Sequence, residues 1–267
     1  MKVVLFCGGM GTRIREFSEA VPKPMIPIGA QPILWHIMDY YSRHGHDDFI
    51  LCLGYKANTI KDFFLNHKPY AFSDIVVSEM GGKVETLGET RADWRVTLID
   101  TGAWRNIGER LWAVRDLVKD EEYFLANYSD GLTDVPLDEM IEKFKASGKV
   151  ACFLAVHPMV TFHLAQIDDA GRVREIVSSD NANMWINGGY FIFRQDIFEY
   201  MKEGEELVLE PFRRLIDADQ LMAYKYEGFW RAMDTLRDRQ VLEEMVEQGH
   251  MPWRVRDTTR ALRSNGK

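Results

Sequence analysis

Val3-Val4-Leu5-Phe6-Cys7-Gly8-Gly9-Met10-Gly11-Thr12-Arg13 carries four apolar residues straight into a glycine-rich turn. A short continuous apolar run bounded by glycine reads as a strand buried on both faces. Glycines just beyond such a strand let the backbone approach a polyphosphate and aim N–H groups at it, and Arg13 adds a charge-assisted fork. The spacing is not that of the P-loop, because no Lys-Ser/Thr follows. Nor is it the dinucleotide fingerprint, whose third glycine stands elsewhere. Taken alone, the turn reads equally well as a tight strand-to-helix connection.

Working outward, short apolar runs alternate with helical patterns. Strands are expected at Val3 to Phe6, Asp48 to Gly54, Arg95 to Ile99 and Tyr123 to Asn127. Helices are expected at Pro32 to His44, at Asn58 to Phe64 with Asn58 as N-cap, and at Gly108 to Val118. This order predicts an α/β fold: a Rossmann-like, mostly parallel central sheet with helices on both faces. From Val150 onward, apolar stretches at Val150 to Val156, Gly189 to Phe193 and Leu221 to Tyr226 mix with turn signals such as Asp168-Asp169-Ala170-Gly171. These predict a smaller mixed β extension on the acceptor side. Asp234 to Gly249 reads as a charged amphipathic helix, and 254–267 as a polar tail. The expected organisation is one domain over 1–253, with a nucleotide-binding half at 1–149 and an acceptor-side half with the C-terminal helix at 150–253.

In open sheets of this kind ligands bind beyond the carboxyl ends of the strands. Two polar motifs fall at such ends, one after Phe6 and one after Asn127. In Pro22-Lys23-Pro24-Met25 a lysine between two prolines is expected on a stiff, extended segment, where its ammonium can offset charge on a phosphorus-bound oxygen. Asp130, in Tyr128-Ser129-Asp130-Gly131, and Asp234, in Trp230-Arg231-Ala232-Met233-Asp234-Thr235, are singly no more than turn or cap residues. As a pair they suit magnesium, which takes one or two carboxylates plus substrate phosphates. Trp35, Met38 and Tyr41 at helical spacing read as core, and His36, His44 and His46 show no ligand spacing.

The net charge of -8 argues against a nucleic-acid partner. Cys7, Cys52 and Cys152 lie far apart in apolar runs with neither zinc nor disulfide spacing, which suits buried thiols in a reducing, cytoplasmic setting. No apolar run reaches the length of a signal peptide core or a membrane span.

Gly-Gly-x-Gly-Thr-Arg, Pro-Lys-Pro-Met, Ser-Asp-Gly and Trp-x-x-Met-Asp-Thr, in this order, resemble the sugar-phosphate nucleotidyltransferase family. Pro32 to Met38, Gly54-Tyr55-Lys56, Val96 to Gly102 and Met233 to Asp238 are similar to its cytidylyltransferase branch, over roughly residues 1 to 253. The resemblance implies a magnesium-dependent transfer of a nucleoside monophosphate, with CTP favoured as donor, glucose 1-phosphate or a related sugar-like phosphate as acceptor, and pyrophosphate released. It implies that Gly8, Gly9, Gly11, Thr12 and Arg13 cradle the triphosphate with Ser129 and Asp130 beside them. Arg13 and Lys23 would be catalytic, and Asp130 and Asp234 would hold magnesium. Asn187 and Gly188 would face the acceptor, and a homo-oligomer is expected.

The chain departs from the family at one place. A lysine that binds the sugar phosphate normally precedes Asn-Gly-Gly, whereas here Ser178 stands at the aligned position. A hydroxyl does not replace an ammonium facing a phosphate. Either the acceptor differs, a cyclitol phosphate for example, or another cation such as His163, Arg172 or Arg174 grips it. A catalytically silent nucleotide-sensing subunit is the competing reading, opposed by the presence of Lys23, Asp130 and Asp234. A dinucleotide-dependent oxidoreductase is set aside on the glycine spacing.

Overall fold

The computed structural model describes residues 1–9, 21–66, 74–78, 83–87, 94–158, 163–178 and 184–254. In chain order, β1 (Val3–Phe6) is followed by the short pair β2 (Pro27–Ile28) and β3 (Gln31–Pro32), then α1 (Ile33–Arg43), β4 (Asp48–Leu53) and α2 (Ala57–Leu65). The hairpin β5 (Asp74–Ser78) and β6 (Lys83–Leu87) precedes β7 (Arg95–Asp100), α3 (Ile107–Ala113), β8 (Tyr123–Asn127), β9 (Gly131–Thr133) and α4 (Leu137–Ser147). Next come β10 (Ala151–Val156), the hairpin β11 (His163–Ile167) and β12 (Val173–Ser178), and β13 (Ile186–Arg194). The last elements are α5 (Glu210–Asp217), β14 (Leu221–Lys225), β15 (Trp230–Ala232) and α6 (Leu236–Glu247).

Seven strands form one sheet in the order β14-β10-β13-β8-β1-β4-β7. β1 pairs in parallel with both β4 and β8, β4 with β7, and β10 with β14, while β13 runs antiparallel to its neighbours β8 and β10. The sheet is thus mostly parallel, as the alternation of strands and helices predicts. The strands after Val150 extend this same sheet, and the smaller additions are the separate β11–β12 and β9–β15 pairs.

β1 earns its central place by being apolar on both sides. Val3 and Leu5 join the core formed with α1 and α4, whereas Val4 and Phe6 join the opposite core with α3 and α5. After β1 the chain builds outward through β4 to β7 and then returns to β8 on the other flank. The strand order reverses at β1, and in sheets of this kind the ligand crevice lies at that switch point, beyond the carboxyl ends of β1 and β8.

Several boundaries differ from expectation for identifiable reasons. α2 begins after Lys56, which adopts φ 52°, so Asn58 lies inside the helix and is not its cap. The helix expected from Gly108 starts at Ile107 behind an Asn106–Glu109 capping box and breaks after Ala113 into a 3-10 turn at Arg115–Leu117. The C-terminal helix begins at Leu236, because Thr235 and Asp238 cap it reciprocally and leave Asp234 outside. α4 escaped the sequence reading, although Leu137, Met140, Ile141 and Phe144 form its buried stripe. Cys7, Cys52 and Cys152 are free and buried, and Met38 and Tyr41 belong to the core. Among the described residues no helix is long and apolar enough to cross a membrane.

Two histidines make the fold acid-sensitive. His46 has both ring nitrogens buried without a hydrogen-bond partner among the described residues, and burial pushes its pKa down to about 4. His36 donates from Nε2 to Ile28 O and accepts at Nδ1 from the Trp253 indole, and burial lowers its pKa too. Unfolded histidine takes up its proton near pH 6.5, so the stabilising contribution is intact above that value and declines as pH falls toward about 4. Chemical denaturation at pH 7.5 and pH 4.5 should show a loss on the order of 2 kcal/mol from these groups, and His46→Asn should flatten that part of the profile.

Candidate active site

The site is assembled from four turns at the carboxyl edge of the sheet. The turn after β1 is pinned from below by Arg110, a guanidinium only 2% exposed. Its Nη2 donates to Gly8 O at 3.0 Å, and its Nη1 donates to Leu53 O at 3.0 Å and to Thr101 Oγ1 at 2.7 Å. A Cβ at Gly8 would stand 1.9 Å from Nη1, so any other residue there would have to displace the Arg110 guanidinium from its hydrogen bonds. Gly9 is exposed, and no described atom lies within 4 Å of where its Cβ would be. That leaves backbone open to an approaching ligand. Gly11, Thr12 and Arg13 lie outside the described residues.

Lys23 comes from a single 3-10 turn, Lys23–Met25, and not from the extended segment expected of it. Pro22 is extended, Pro24 sits at the turn's start, and Met25 N and Ile26 N donate to Pro22 O and Lys23 O. The prolines stiffen the segment, as anticipated, but in a tight turn.

Asp130 follows β8 through a strained corner. Ser129 is fully buried at φ 63°, a left-handed conformation rare for a non-glycine residue. Asn127 compensates, its Oδ1 accepting from Ser129 N at 2.6 Å, while Ser129 Oγ accepts from Cys7 Sγ at 3.4 Å. The corner is thereby tied to the end of β1. Asp234 reaches the same place through β15, whose register sets Ala232 against Gly131. The ladder continues with Met233 N donating to Asp130 O at 2.8 Å, so the two aspartates, far apart in sequence, follow paired backbone.

The last three of these turns converge on one ammonium. Lys23 Nζ donates to Asp130 Oδ2 and to Asp234 Oδ1, each at 2.7 Å, with the lysine side chain 13% exposed and the carboxylates about a third exposed at 28% and 33%. Burial pulls the Lys23 pKa down, but the two carboxylates outweigh it and leave the group above its ordinary value. Two convergent carboxylates with no further acidic ligand suit a hard divalent cation that takes its remaining oxygens from phosphate and water. Among the described residues no group of three or more His, Cys, Asp or Glu could hold a metal by itself.

Matching this geometry, the model of the nucleotidyl transferase family fits residues 2–238. The chain belongs to that family. It is 40% identical, over 96% of its own length and 99% of the relative's, to glucose-1-phosphate cytidylyltransferase of Salmonella typhi. It is 33% identical, over 96% and 100%, to a probable glucose-1-phosphate cytidylyltransferase of Bacillus subtilis. A solved structure of HddC from Yersinia pseudotuberculosis complexed with GMP-PN matches with TM-score 0.65 at 20% identity, covering 92% of this chain and 99% of that one. A putative glucose-1-phosphate thymidylyltransferase from Bacillus anthracis matches with TM-score 0.66 at 16% identity, covering 92% and 94%. These two likenesses concern the fold.

In this nucleotidyl transferase Asn187 and Gly188 lie directly against the Asp130 corner. Asn187 Nδ2 donates to Tyr128 Oη at 3.1 Å, Asn187 Oδ1 accepts from Gly189 N at 2.9 Å, and the Trp230 indole donates to Gly188 O at 2.8 Å. Gly189, at φ 78°, would place a Cβ 2.8 Å from Tyr128. His163 and Ser178 stand on β11 and β12 and are register partners of each other. Arg172 and Arg174 both pair with Asp168, at 3.0 and 2.7 Å, nearer the turn of that hairpin.

Arg110 and Asn127 were not singled out from the sequence. The signal for Arg110 was an arginine on the same helical face as Ile107, Leu111 and Val114, where an unexplained charge among apolar neighbours asks for a buried acceptor. Asn127 ends a buried strand two residues before a turn, the offset at which Asn bonds the backbone.

The corner is testable without touching the charged groups. Ser129→Val places a β-branched residue at φ 63° and should lower stability by about 1–3 kcal/mol in urea titration. Full stability would show that the corner is unstrained.

Proposed function

We propose that this nucleotidyl transferase joins CMP from CTP to glucose 1-phosphate, or to a closely related sugar-like phosphate, with release of pyrophosphate. The observation that carries the reading is the convergence of Lys23, Asp130 and Asp234 at a corner tied to the end of β1 by the Cys7–Ser129 contact. The 40% identity to a glucose-1-phosphate cytidylyltransferase over nearly the whole of both chains supports the choice of substrates.

The chemistry needs little from the protein besides placement and charge neutralisation. An acceptor phosphate oxygen forms a bond to the α-phosphorus of CTP as the bond from that phosphorus to the pyrophosphate oxygen breaks in line. A phosphate monoester has a second pKa of about 6, so at neutral pH the nucleophile is already ionised and requires no general base. The site accordingly gathers ammonium, carboxylate and backbone amide groups. Gly8 and Gly9, together with Gly11, Thr12 and Arg13, are assigned to the triphosphate, and Lys23 to the charge that builds on the transferring phosphoryl group. Asp130 and Asp234 are the residues that would hold magnesium, which supplies electrostatic stabilisation to the phosphate oxygens. Ser129 supports this set by shaping the turn.

On the acceptor side Asn187 and Gly188 form the wall against Tyr128 and Trp230, and the β11–β12 hairpin supplies the sugar-phosphate contact. Ser178 is neutral there. Arg172 and Arg174 are paired with Asp168, so His163, directly across from Ser178 in register, is the residue we assign to the acceptor phosphate. The same substitution favours a second reading, in which the chemistry is unchanged and the acceptor is not glucose 1-phosphate but another phosphate such as a cyclitol phosphate. Exposed Val76, Val77 and Leu87 on the β5–β6 hairpin support a homo-oligomer, and the free, buried cysteines support a reducing cytoplasmic setting.

A screen of the four NTPs against a panel of sugar and cyclitol phosphates, read by pyrophosphate release, tests the proposal. CTP with glucose 1-phosphate should give the highest kcat/KM, and Asp130→Ala should lower it by at least about a thousandfold. Turnover only with another acceptor would transfer the assignment to the second reading, and none with any pair would remove both. His163→Ala should raise the acceptor KM about tenfold and leave the CTP KM unchanged, since a charge-assisted hydrogen bond is worth roughly 1.5–3 kcal/mol.

A further inference from the structure

We propose that Lys23 is a built-in counter-cation. It holds Asp130 and Asp234 together before substrates arrive and surrenders its place between them when a divalent ion comes in, which frees its ammonium for the phosphates. The inference rests on the reading of the two aspartates as metal ligands.

The ammonium donates at 2.7 Å to one oxygen of each carboxylate, so Lys23 stands where the two side chains meet. Magnesium binds carboxylate oxygen at about 2.0–2.1 Å. An ion on those oxygens would lie within about 5 Å of an unmoved Lys23 nitrogen, and the two positive charges would repel at a part-buried site. The two cations therefore compete for these oxygens, and the lysine is the one able to move. Its backbone is fixed by Pro22, Pro24 and the Lys23–Met25 turn. The displacement thus falls on the side-chain torsions, at a corner that the Cys7–Ser129 contact ties to the end of β1.

Two consequences distinguish this from a lysine that only binds phosphate. Before loading, Lys23 competes with the divalent ion for the carboxylates, so it weakens metal binding while it keeps the two side chains in place. After loading, Lys23 favours the nucleotide. Removing its charge should therefore push the two affinities in opposite directions.

The test is a Mn²⁺ titration of the full chain without nucleotide, with free Mn²⁺ read by electron paramagnetic resonance. Lys23→Met should bind Mn²⁺ at least about tenfold more tightly than the wild type, the scale of one screened charge pair. The same variant should bind CTP with Mn²⁺ more weakly. Lys23→Gln serves should the methionine variant fail to fold, with thermal melts as the check. If neither folds, ¹⁵N-detected lysine spectra of the wild type decide the matter: the Lys23 Nζ signal should shift on adding Mg²⁺ alone. Equal or weaker Mn²⁺ binding by the folded variant, or an unmoved Nζ signal with Mg²⁺ bound, would overturn the exchange. A wild type that binds no Mn²⁺ even with CTP would instead overturn the metal reading beneath it.

Discussion

Two carboxylates held side by side at a part-buried site repel unless a cation stands between them. In this chain the cation is Lys23, and the remainder of the crevice is organised to present it. The prolines on either side remove backbone freedom, the Asn127–Ser129 corner aims Asp130, and the β9–β15 ladder brings Asp234 to the same point. Strained or costly local structure that the fold does not require is the usual mark of a functional site.

Much of this was legible in the sequence because it is encoded locally. β1 and β8 appear at their expected bounds, since an unbroken apolar run ended by a turn has few other readings. Gly8, Gly9 and Asp130 stood out as candidates because they come just after buried strands, Lys23 because it lies between two prolines, and Asp234 as a second carboxylate to pair with Asp130. What could not be read was long-range. That Asp130 and Asp234 share one partner depends on the Gly131–Ala232 register, which no local pattern announces. The role of Arg110 depends on three carbonyl and hydroxyl groups from separate segments coming together beneath the first turn. The helix at Leu137–Ser147 was missed because its apolar stripe is diluted by charged neighbours, although its acidic first turn and the glycine after it were present as signals.

Arg110 illustrates how a buried charge can be tolerated when carbonyl and hydroxyl dipoles take up its donors. Its donors are taken up by carbonyl oxygens of Gly8 and Leu53 and by the Thr101 hydroxyl, so the desolvated guanidinium is satisfied by dipoles. The arrangement ties three strand ends, those of β1, β4 and β7, to one rigid fork. Gly8 and Gly54 are small because the fork occupies the space their side chains would take. The glycine-rich turn is therefore as much a response to what lies behind it as to whatever approaches from the front.

The reversed direction of β13 has a consequence for how such a protein can diversify. Val156 and Ile186 are register partners at the carboxyl edge, so the chain leaves the sheet and returns to it at adjacent points. Everything between them, including the hairpin bearing His163 and Ser178, is an excursion with closely spaced ends. Such a segment can lengthen, shorten or change its chemistry without disturbing the strands that carry Gly8 and Asp130. Under the proposed assignment the acceptor side is thereby modular, open to grafting from relatives, while the side proposed for the triphosphate is inherited as part of the sheet.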